Sequence, residues 1–218
     1  MRILAALAAR RLRRYRLGMV VVLLSGLFAA DPSVILIEGS SARTSEILAG
    51  DAPRDIRLLK LRAEVTRVAD WATMARRSAG TEWQDMNEEE RQRFVDAFTE
   101  LLINNHLSNL ENMEAGPTPE IRAGETEGSE ERWVEMVIPH RFFPITVGFL
   151  VRNSSRGARL ASPKTNGPKI VDVRVPGFRL TEHFQETLRV SVQRWGRAGT
   201  LARLEQKAAA AQRRLQSP

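Results

Sequence analysis

The sequence predicts an α+β fold, in which helices pack on one face of a mostly antiparallel, twisted sheet. Apolar side chains recur at helical steps of three and four over residues 33–113. The pattern then changes to the alternation of strands over 132–175, and helical spacing returns over 181–216. Because helices and strands occupy separate stretches, segregated layers are favoured over alternating β-α-β units.

Five helices are predicted, at 33–50, 54–78, 87–113, 181–195 and 200–216. The second carries its apolar stripe at Leu58, Leu61, Val65, Val68, Ala69 and Ala72. The third carries apolar side chains at Phe94, Phe98, Leu101, Leu102, Ile103, Leu110 and Met113.

The connector "SAGTEW" (78–83) separates the second helix from the third. Gly80 is suited to ending the second helix, and Asn87 with Glu90 forms a capping-box pattern at the start of the third. We expect Trp83 to pack back between the two helices and fix their angle rather than to contact a ligand directly.

Three strands are predicted, at 132–140, 142–152 and 169–175, with a Gly/Glu-rich loop at 124–131. The second strand alternates Phe143, Ile145, Val147, Phe149 and Val151 onto one face. Pro144 favours an edge position or a strand start, because proline cannot donate to a sheet hydrogen bond.

Composition excludes several classes of function. The chain has no cysteine, so disulfides, thiolate metal sites and thiol catalysis are excluded. The net charge of +7 hints at nucleic-acid binding, but residues 1–30 hold six arginines and no acid. The remainder has 27 basic and 26 acidic residues, so we expect no nucleic-acid partner.

The first 30 residues have the pattern of a secretory signal peptide. The basic run "RRLRRYR" (10–16) precedes 14 mostly apolar residues (17–30), and a membrane span needs roughly 20. Cleavage is predicted near Ala29 or Ala30, and retention as a membrane anchor is the alternative. Either outcome predicts a periplasmic location in a Gram-negative cell. The predicted organisation is a signal at 1–30, a single domain at 31–207 and a polar C-terminal helix end or tail at 208–218.

The usual signatures of catalysis are missing from the sequence. It contains no G-x-S-x-G, G-x-G-x-x-G, Walker A or H-E-x-x-H motif. His106, His140 and His183 lack the spacing of metal ligands, and surface or structural roles are favoured for them. Asp172 lies in an apolar strand, where hydrogen bonding at a turn or edge is favoured over a catalytic role.

Bulky apolar surface is what the sequence offers instead of catalytic groups. The 94–113 helix is apolar on more than one side, and Phe142 and Leu150 extend the apolar character of the 142–152 strand to its second face. An ordinary core explains this surface, and so does a pocket for an apolar ligand. Periodicity alone does not separate the two interpretations.

Two blocks of sequence resemble the MlaC (toluene-tolerance, Ttg2-type) family of periplasmic lipid-binding proteins, which includes hopanoid-associated members. The blocks are 69–106 and 169–207. The matching residues of the first are Asp70, Trp71, Met74, Ala75, Gly80, Trp83, Glu90, Arg91, Phe94, Phe98, Leu101 and Leu102. Those of the second are Asp172, Val173, Gly177, Leu180, Phe184, Gly199, Leu201 and Leu204. The chain departs from the family pattern at Ala69, His106, Pro168 and Val171.

The resemblance implies a non-enzymatic carrier of phospholipid or a related lipid such as a hopanoid, without metal or covalent cofactor. The acyl chains of the bound lipid would occupy an apolar cavity between the sheet and the helices. The implied partners are an inner-membrane ABC transporter complex with an MCE-type component and an outer-membrane lipoprotein complex, and the chain is expected to be a monomer. The candidate lipid-binding residues are Phe98, Leu101, Leu102, Val134, Met136, Ile138, Phe143, Ile145, Val147 and Phe149.

Two other classes of function remain open at this point. A secreted enzyme or small-ligand binder on a related α+β scaffold would use His106 or Asp172 in a small polar pocket. An interaction module without cargo would dock to membrane complexes and lack an elongated apolar cavity.

Overall fold

The computed structural model describes residues 31–111, 118–140, 143–153 and 167–217, so the predicted signal peptide lies outside the described residues. The helices are α1 (Pro32–Ala49), α2 (Arg54–Val68), α3 (Trp71–Ala79), α4 (Glu82–Asp85), α5 (Glu88–Glu111) and α6 (Leu180–Gln216). The strands are β1 (Glu120–Glu127), β2 (Glu131–Ile138), β3 (Ile145–Arg152), β4 (Lys169–Val175) and β5 (Phe178–Arg179).

The five strands form one antiparallel sheet in the order in which they occur along the chain. This open meander, with helices on one of its faces, confirms the predicted α+β class. The helix α1 lies over β1 and β2, and α3 and α6 lie against β4. No helix in the described ranges combines the length and apolar character that a membrane span requires.

The first strand was missed by the sequence prediction, which placed a loop at 124–131. Its polar sequence "EIRAGETE" reflects a mostly exposed edge strand rather than a turn. Cross-strand pairing replaces apolar burial there, as in the 3.0 Å ion pair between Arg122 and Glu135. The register shifts between Ala123 and Thr126, which further obscures the alternation of the strand.

The single helix predicted at 54–78 is wrong, because the chain breaks at Ala69 and Asp70. Ala69 is extended (φ −105°, ψ 148°) and forms an isolated parallel bridge with Ile170 of β4. The backbone N–H of Asp70 donates to the Ile170 carbonyl at 2.8 Å. The Asp70 carboxylate then accepts from the backbone N–H of Thr73 and caps α3. A distant strand therefore overrides the local helical preference.

At the C-terminal end of the chain, α6 consists of two helical segments that meet at the non-helical residue Gly196, which confirms the two predicted helices. A kink at Gly196 (φ 67°, ψ 172°) accounts for the predicted interruption. Beyond it, α6 continues to Gln216 and buries Ala208, Ala211 and Leu215.

The connector between α3 and α5 has the predicted helix end and capping box, with the short helix α4, which was not predicted, between them. Gly80 ends α3 at positive φ (55°), a conformation that favours glycine. Asn87 and Glu90 each accept a hydrogen bond from the other's backbone N–H at 2.9 Å, which is a complete capping box. Trp83 is partly buried against the core of α3, α5 and α6, and the Arg91 guanidinium lies 5.5 Å from its ring centroid.

Replacing the cap residue, Asn87→Ala, should lower the free energy of unfolding by about 0.5–2 kcal/mol, because the backbone N–H of Glu90 loses its acceptor. Urea titration followed by circular dichroism measures the change. Asn109→Ala is the matched control, since Asn109 is exposed within the same helix. Equal stabilities of the two variants would contradict a stabilising role for the cap.

Two apolar clusters frame the space between helices and sheet. The helical cluster contains Met74, Ala75, Ala79, Met86, Phe94, Phe98, Leu188 and Leu201. The sheet cluster contains Ile37, Val68, Val134, Val151 and Ile170. Ala69 and Val173 pack against both clusters, so the two are neighbours.

Candidate functional site

Six of the candidate residues form a paired row on the helix-facing side of β2 and β3. The sheet register pairs Val134 with Phe149, Met136 with Val147, and Ile138 with Ile145. Because side chains two positions apart in a strand share a face, all six lie on one face. We call these six residues the apolar row.

Exposure increases along the apolar row from one end to the other. Val134 is completely buried, and its neighbours Phe149, Met136 and Val147 are half-buried. Ile145, at the far end, is 40% exposed. A fully packed core would bury all these side chains, so the row has apolar surface that the described helices leave uncovered.

The buried end of the row is closed by α1, α2 and β4. Ile37 of α1 and Val68 of α2 pack with Val134, Val151 and Ile170. Ser33 at the start of α1 also donates a 3.1 Å hydrogen bond to the side chain of Asn153, just beyond β3. The helix α1 is thus anchored to this end of the sheet.

The structure divides the three candidate residues of α5 between two environments. Phe98 is fully buried in the helical cluster, with its ring centroid 5.9 Å from Phe94 and 5.1 Å from Phe184. Leu101 is buried with Ala208 and Ala211 of α6. Leu102 is half-buried at the edge of the helical cluster, which leaves part of its side chain accessible.

Phe143 does not belong to β3, although the predicted strand began at 142. The strand starts at Ile145, and the Phe143 ring is 69% exposed. The ring of His140 lies beside it, with ring centroids 6.3 Å apart. Phe143 therefore lies beyond the exposed end of the apolar row rather than within it.

Sequence reasoning missed four apolar residues that pack against the sheet cluster: Val34, Leu36, Ile121 and Val173. Val34 and Leu36 belong to α1, whose sequence gives a weak amphipathic pattern. Ile121 lies in the unpredicted strand β1. Only Val173 carried a usable signal, since it follows Asp172 within an alternating strand.

On the opposite face of the sheet, charged side chains surround Trp133. Trp133 is 2% exposed and lies beneath Arg174, whose guanidinium is 4.1 Å from the ring centroid. The indole N–H of Trp133 donates to Glu127 at 2.9 Å. Burial raises the pKa of Glu127, but the hydrogen bonds from Arg179 and Trp133 lower it by more. The pKa of Glu127 therefore lies below its ordinary value.

Asp172 lies on this charged face and is fully buried. Its carboxylate accepts hydrogen bonds from Arg179 Nε at 2.6 Å, from Thr181 Oγ1 at 2.6 Å and from two backbone N–H groups. His106 is not among these partners. The Asp172 carboxylate therefore joins β4 to the start of α6, which is the hydrogen-bonding role that its position in the strand favours.

Neither His106 nor His183 donates a hydrogen bond to Asp172. Protein atoms crowd the His106 imidazole and lower its pKa by desolvation, although its side chain keeps access to solvent. His183 lies beside Phe178, with ring centroids 4.9 Å apart. Within the described ranges, no three acidic, histidine or cysteine side chains converge into a site that could hold a metal ion.

Comparisons with known proteins agree with this architecture. The sequence profile of a family described as MlaC protein matches residues 42–206. A phospholipid-binding protein from Ralstonia solanacearum, solved in complex with a phospholipid, has a similar fold with a TM-score of 0.64. The two chains are 18% identical, and the match covers 82% of this chain and 98% of the Ralstonia protein. A search of curated protein sequences gives no significant match.

Proposed function

We propose that this chain, which belongs to the MlaC family, binds a phospholipid or a related membrane lipid without catalysing a reaction on it. The observation that carries the proposal is the apolar row, which is half-buried along most of its length although it faces the helices. Acyl chains laid along this row would cover the side chains that the described helices leave open. The phospholipid complex of the Ralstonia protein supports the same ligand class.

The energetics favour a long aliphatic ligand over a small polar one. Each CH₂ group transferred from water to apolar surroundings contributes about 0.8 kcal/mol. An acyl chain seated on Met136, Val147 and Phe149 would therefore gain several kcal/mol from contacts that a polar ligand cannot make. No charged side chain belongs to the row, so the site holds the tails and leaves the headgroup to solvent.

We further propose that the chain is a soluble periplasmic shuttle. In this role it would exchange lipid between an inner-membrane ABC transporter complex with an MCE-type component and an outer-membrane lipoprotein complex. Residues 1–30 would direct export, and residues 31–207 would form the lipid-binding domain of a monomer. The family membership supports this role.

Native mass spectrometry of gently purified protein should show a bound lipid mass. After delipidation, the protein should also take up fluorescent phospholipid from vesicles of phosphatidylethanolamine and phosphatidylglycerol. A water-soluble fluorescent amine of similar size is the control ligand and should not bind. Protein that is consistently free of lipid and takes none from vesicles would overturn the proposal.

A further inference from the structure

An open groove of about 700 Å³ lies between α5 and the C-terminal part of α6. Two apolar side chains, Leu101 of α5 and Ala210 of α6, line it together with three basic ones, Lys207, Arg213 and Arg214 of α6. The groove therefore combines apolar surface with positive charge. We call it the basic groove.

The three cations of the basic groove lack an acidic partner within the part of the chain that the structure describes. No ion pair or side-chain hydrogen bond engages Lys207, Arg213 or Arg214. Exposure alone does not explain this, because the exposed Arg93 of α5 pairs with Glu205 at 2.8 Å. The charge of the groove is thus available to a ligand from outside the chain.

Positive charge is concentrated in the last part of the sequence. Residues 194–218 hold six basic residues and one acid, whereas residues 31–193 hold 21 basic and 25 acidic residues. The one acid of the C-terminal part, Glu205, is already paired with Arg93. Because charges within about 10 Å act together at 0.1 M salt, this part of α6 presents a positive surface on an otherwise slightly acidic domain.

Stabilisation of the helix end explains only part of this basic surface. Arg213 and Arg214 lie in the last turn of α6, where a cation interacts favourably with the helix dipole. Arg203 and Lys207 lie more than two turns before the end of the helix at Gln216. The effect of the dipole falls off within the last turn, so it does not account for these two cations.

An exposed tryptophan extends the basic surface toward the kink of α6. Trp195 is 39% exposed, and the guanidinium groups of Arg203 and Arg194 lie 4.1 and 5.1 Å from its ring centroid. Arg203 precedes Lys207 by four residues, which places both on the same side of the helix. Tryptophan and arginine are the residues that most often dominate the binding energy of protein interfaces. The surface thus has an aromatic anchor beside the kink and a charged groove further along α6.

We propose that the basic groove, together with Trp195, docks an acidic segment of the protein with which this chain exchanges lipid. The inference rests on the proposed function and names the chemistry of one contact in the transfer. Carboxylates of the segment pair with Lys207, Arg213 and Arg214, and its apolar side chains cover Leu101 and Ala210. Charge pairing speeds the encounter of two proteins, which suits a contact that forms and breaks at each delivery.

The shape of the surface favours a protein segment over a membrane. A groove admits a single extended or helical segment along its length, so the segment reaches the apolar surface of Leu101 and Ala210. The flat headgroup layer of a bilayer meets only the edges of a groove. Anionic vesicles are therefore the alternative that the experiment has to exclude.

A fluorescein-labelled peptide of repeated Glu-Glu-Leu units is the probe, and fluorescence anisotropy measures its affinity for the purified protein. The variant Lys207→Gln/Arg214→Gln removes two exposed cations from the groove. The matched control, Lys60→Gln/Arg76→Gln, removes one exposed lysine and one exposed arginine from α2 and α3. The variant Ala210→Phe fills the groove without changing the charge. Sedimentation with phosphatidylglycerol vesicles tests the membrane alternative, and loading with phospholipid from detergent micelles tests lipid binding.

The variant Lys207→Gln/Arg214→Gln should bind the peptide at least about tenfold more weakly than the parent, and the control should stay within about twofold. The variant Ala210→Phe should weaken binding at least about threefold, because the ring occupies the place of the peptide leucines. Raising the salt concentration should weaken the parent more than the groove variant, since the parent has more charges to screen. All variants should hold the parent amount of lipid after micelle loading.

Three results would overturn the docking proposal. The first is a parent that does not bind the peptide, and the second is an equal loss of affinity in the groove variant and the control, which would reflect net charge alone. The third is parent binding to phosphatidylglycerol vesicles that the groove variant loses while its peptide affinity stays unchanged, which would assign the cations to a membrane surface. Parent protein that binds the peptide but holds no lipid would instead overturn the proposed function.

Discussion

Replacing the buried carboxylate, Asp172→Ala, should lower the free energy of unfolding by about 3 kcal/mol. The change leaves the Arg179 guanidinium and the Thr181 hydroxyl without the acceptor that each contacts at 2.6 Å. Arg179 keeps its ion pair with Glu127 at 2.9 Å and is partly exposed, which keeps the loss below that of a fully buried pair. Even so, the effect is a large fraction of the stability of an ordinary domain.

Chemical denaturation of the two variants in parallel measures this effect. Glu182→Ala is the matched control, because Glu182 contacts the same arginine at 3.6 Å but is 68% exposed. Its loss should change the unfolding free energy by less than about 1 kcal/mol. If Asp172→Ala kept the parent stability and lost ligand binding, Asp172 would act in ligand binding, and the structural role assigned to it would be wrong.

The Asp172 network matters for the site because it sets where α6 begins. Asp172 accepts from both the backbone N–H and the hydroxyl of Thr181, in the first turn of α6. Directly after Asp172, Val173 packs between the helical and sheet clusters. The buried Asp172 carboxylate therefore sets the position of α6 relative to β4, and with it the position of Val173 between the two clusters.

Local signals predicted the elements whose stability is local. The reciprocal hydrogen bonds of Asn87 and Glu90 and the helix end at Gly80 involve neighbours in sequence, and the structure confirms each of them. The break at Ala69 depends on a backbone pairing with Ile170, and no pattern within 54–78 encodes that contact. The strand β1 was missed because an exposed edge strand does not need the apolar alternation by which strands are recognised.

The candidate site shows the same division between local and long-range information. The period of two in β2 and β3 placed the apolar row on one face, since alternation is a property of each strand alone. The degree of burial along the row depends on which helices cover it, and the sequence pattern of a strand does not show which helices pack on it. The helix α5 is apolar on several sides because it packs against α2, α3 and α6, so its pattern could not separate Phe98 from Leu102.

Enlarging one side chain of the apolar row tests whether the row holds a ligand or is ordinary core. Val147→Trp should lower the amount of bound phospholipid at least about fivefold, equivalent to roughly 1 kcal/mol, because the indole fills the space of the acyl chain. Val147 is half-buried, so the indole has room and the free energy of unfolding should change by less than about 1 kcal/mol. Micelle loading followed by native mass spectrometry measures the lipid, and denaturation measures the stability.

Val151→Trp is the matched control, since Val151 lies four residues further along the same face of β3 and is fully buried. Overpacking there should cost about 1–3 kcal/mol of stability. If both variants were destabilised equally, the space beside Val147 would be closed core and the row would not be the lipid site. If Val147→Trp were stable and still held lipid at the parent level, the acyl chains would lie elsewhere. Because the two residues share strand, face and side-chain type, they differ chiefly in the uncovered space that the lipid hypothesis requires.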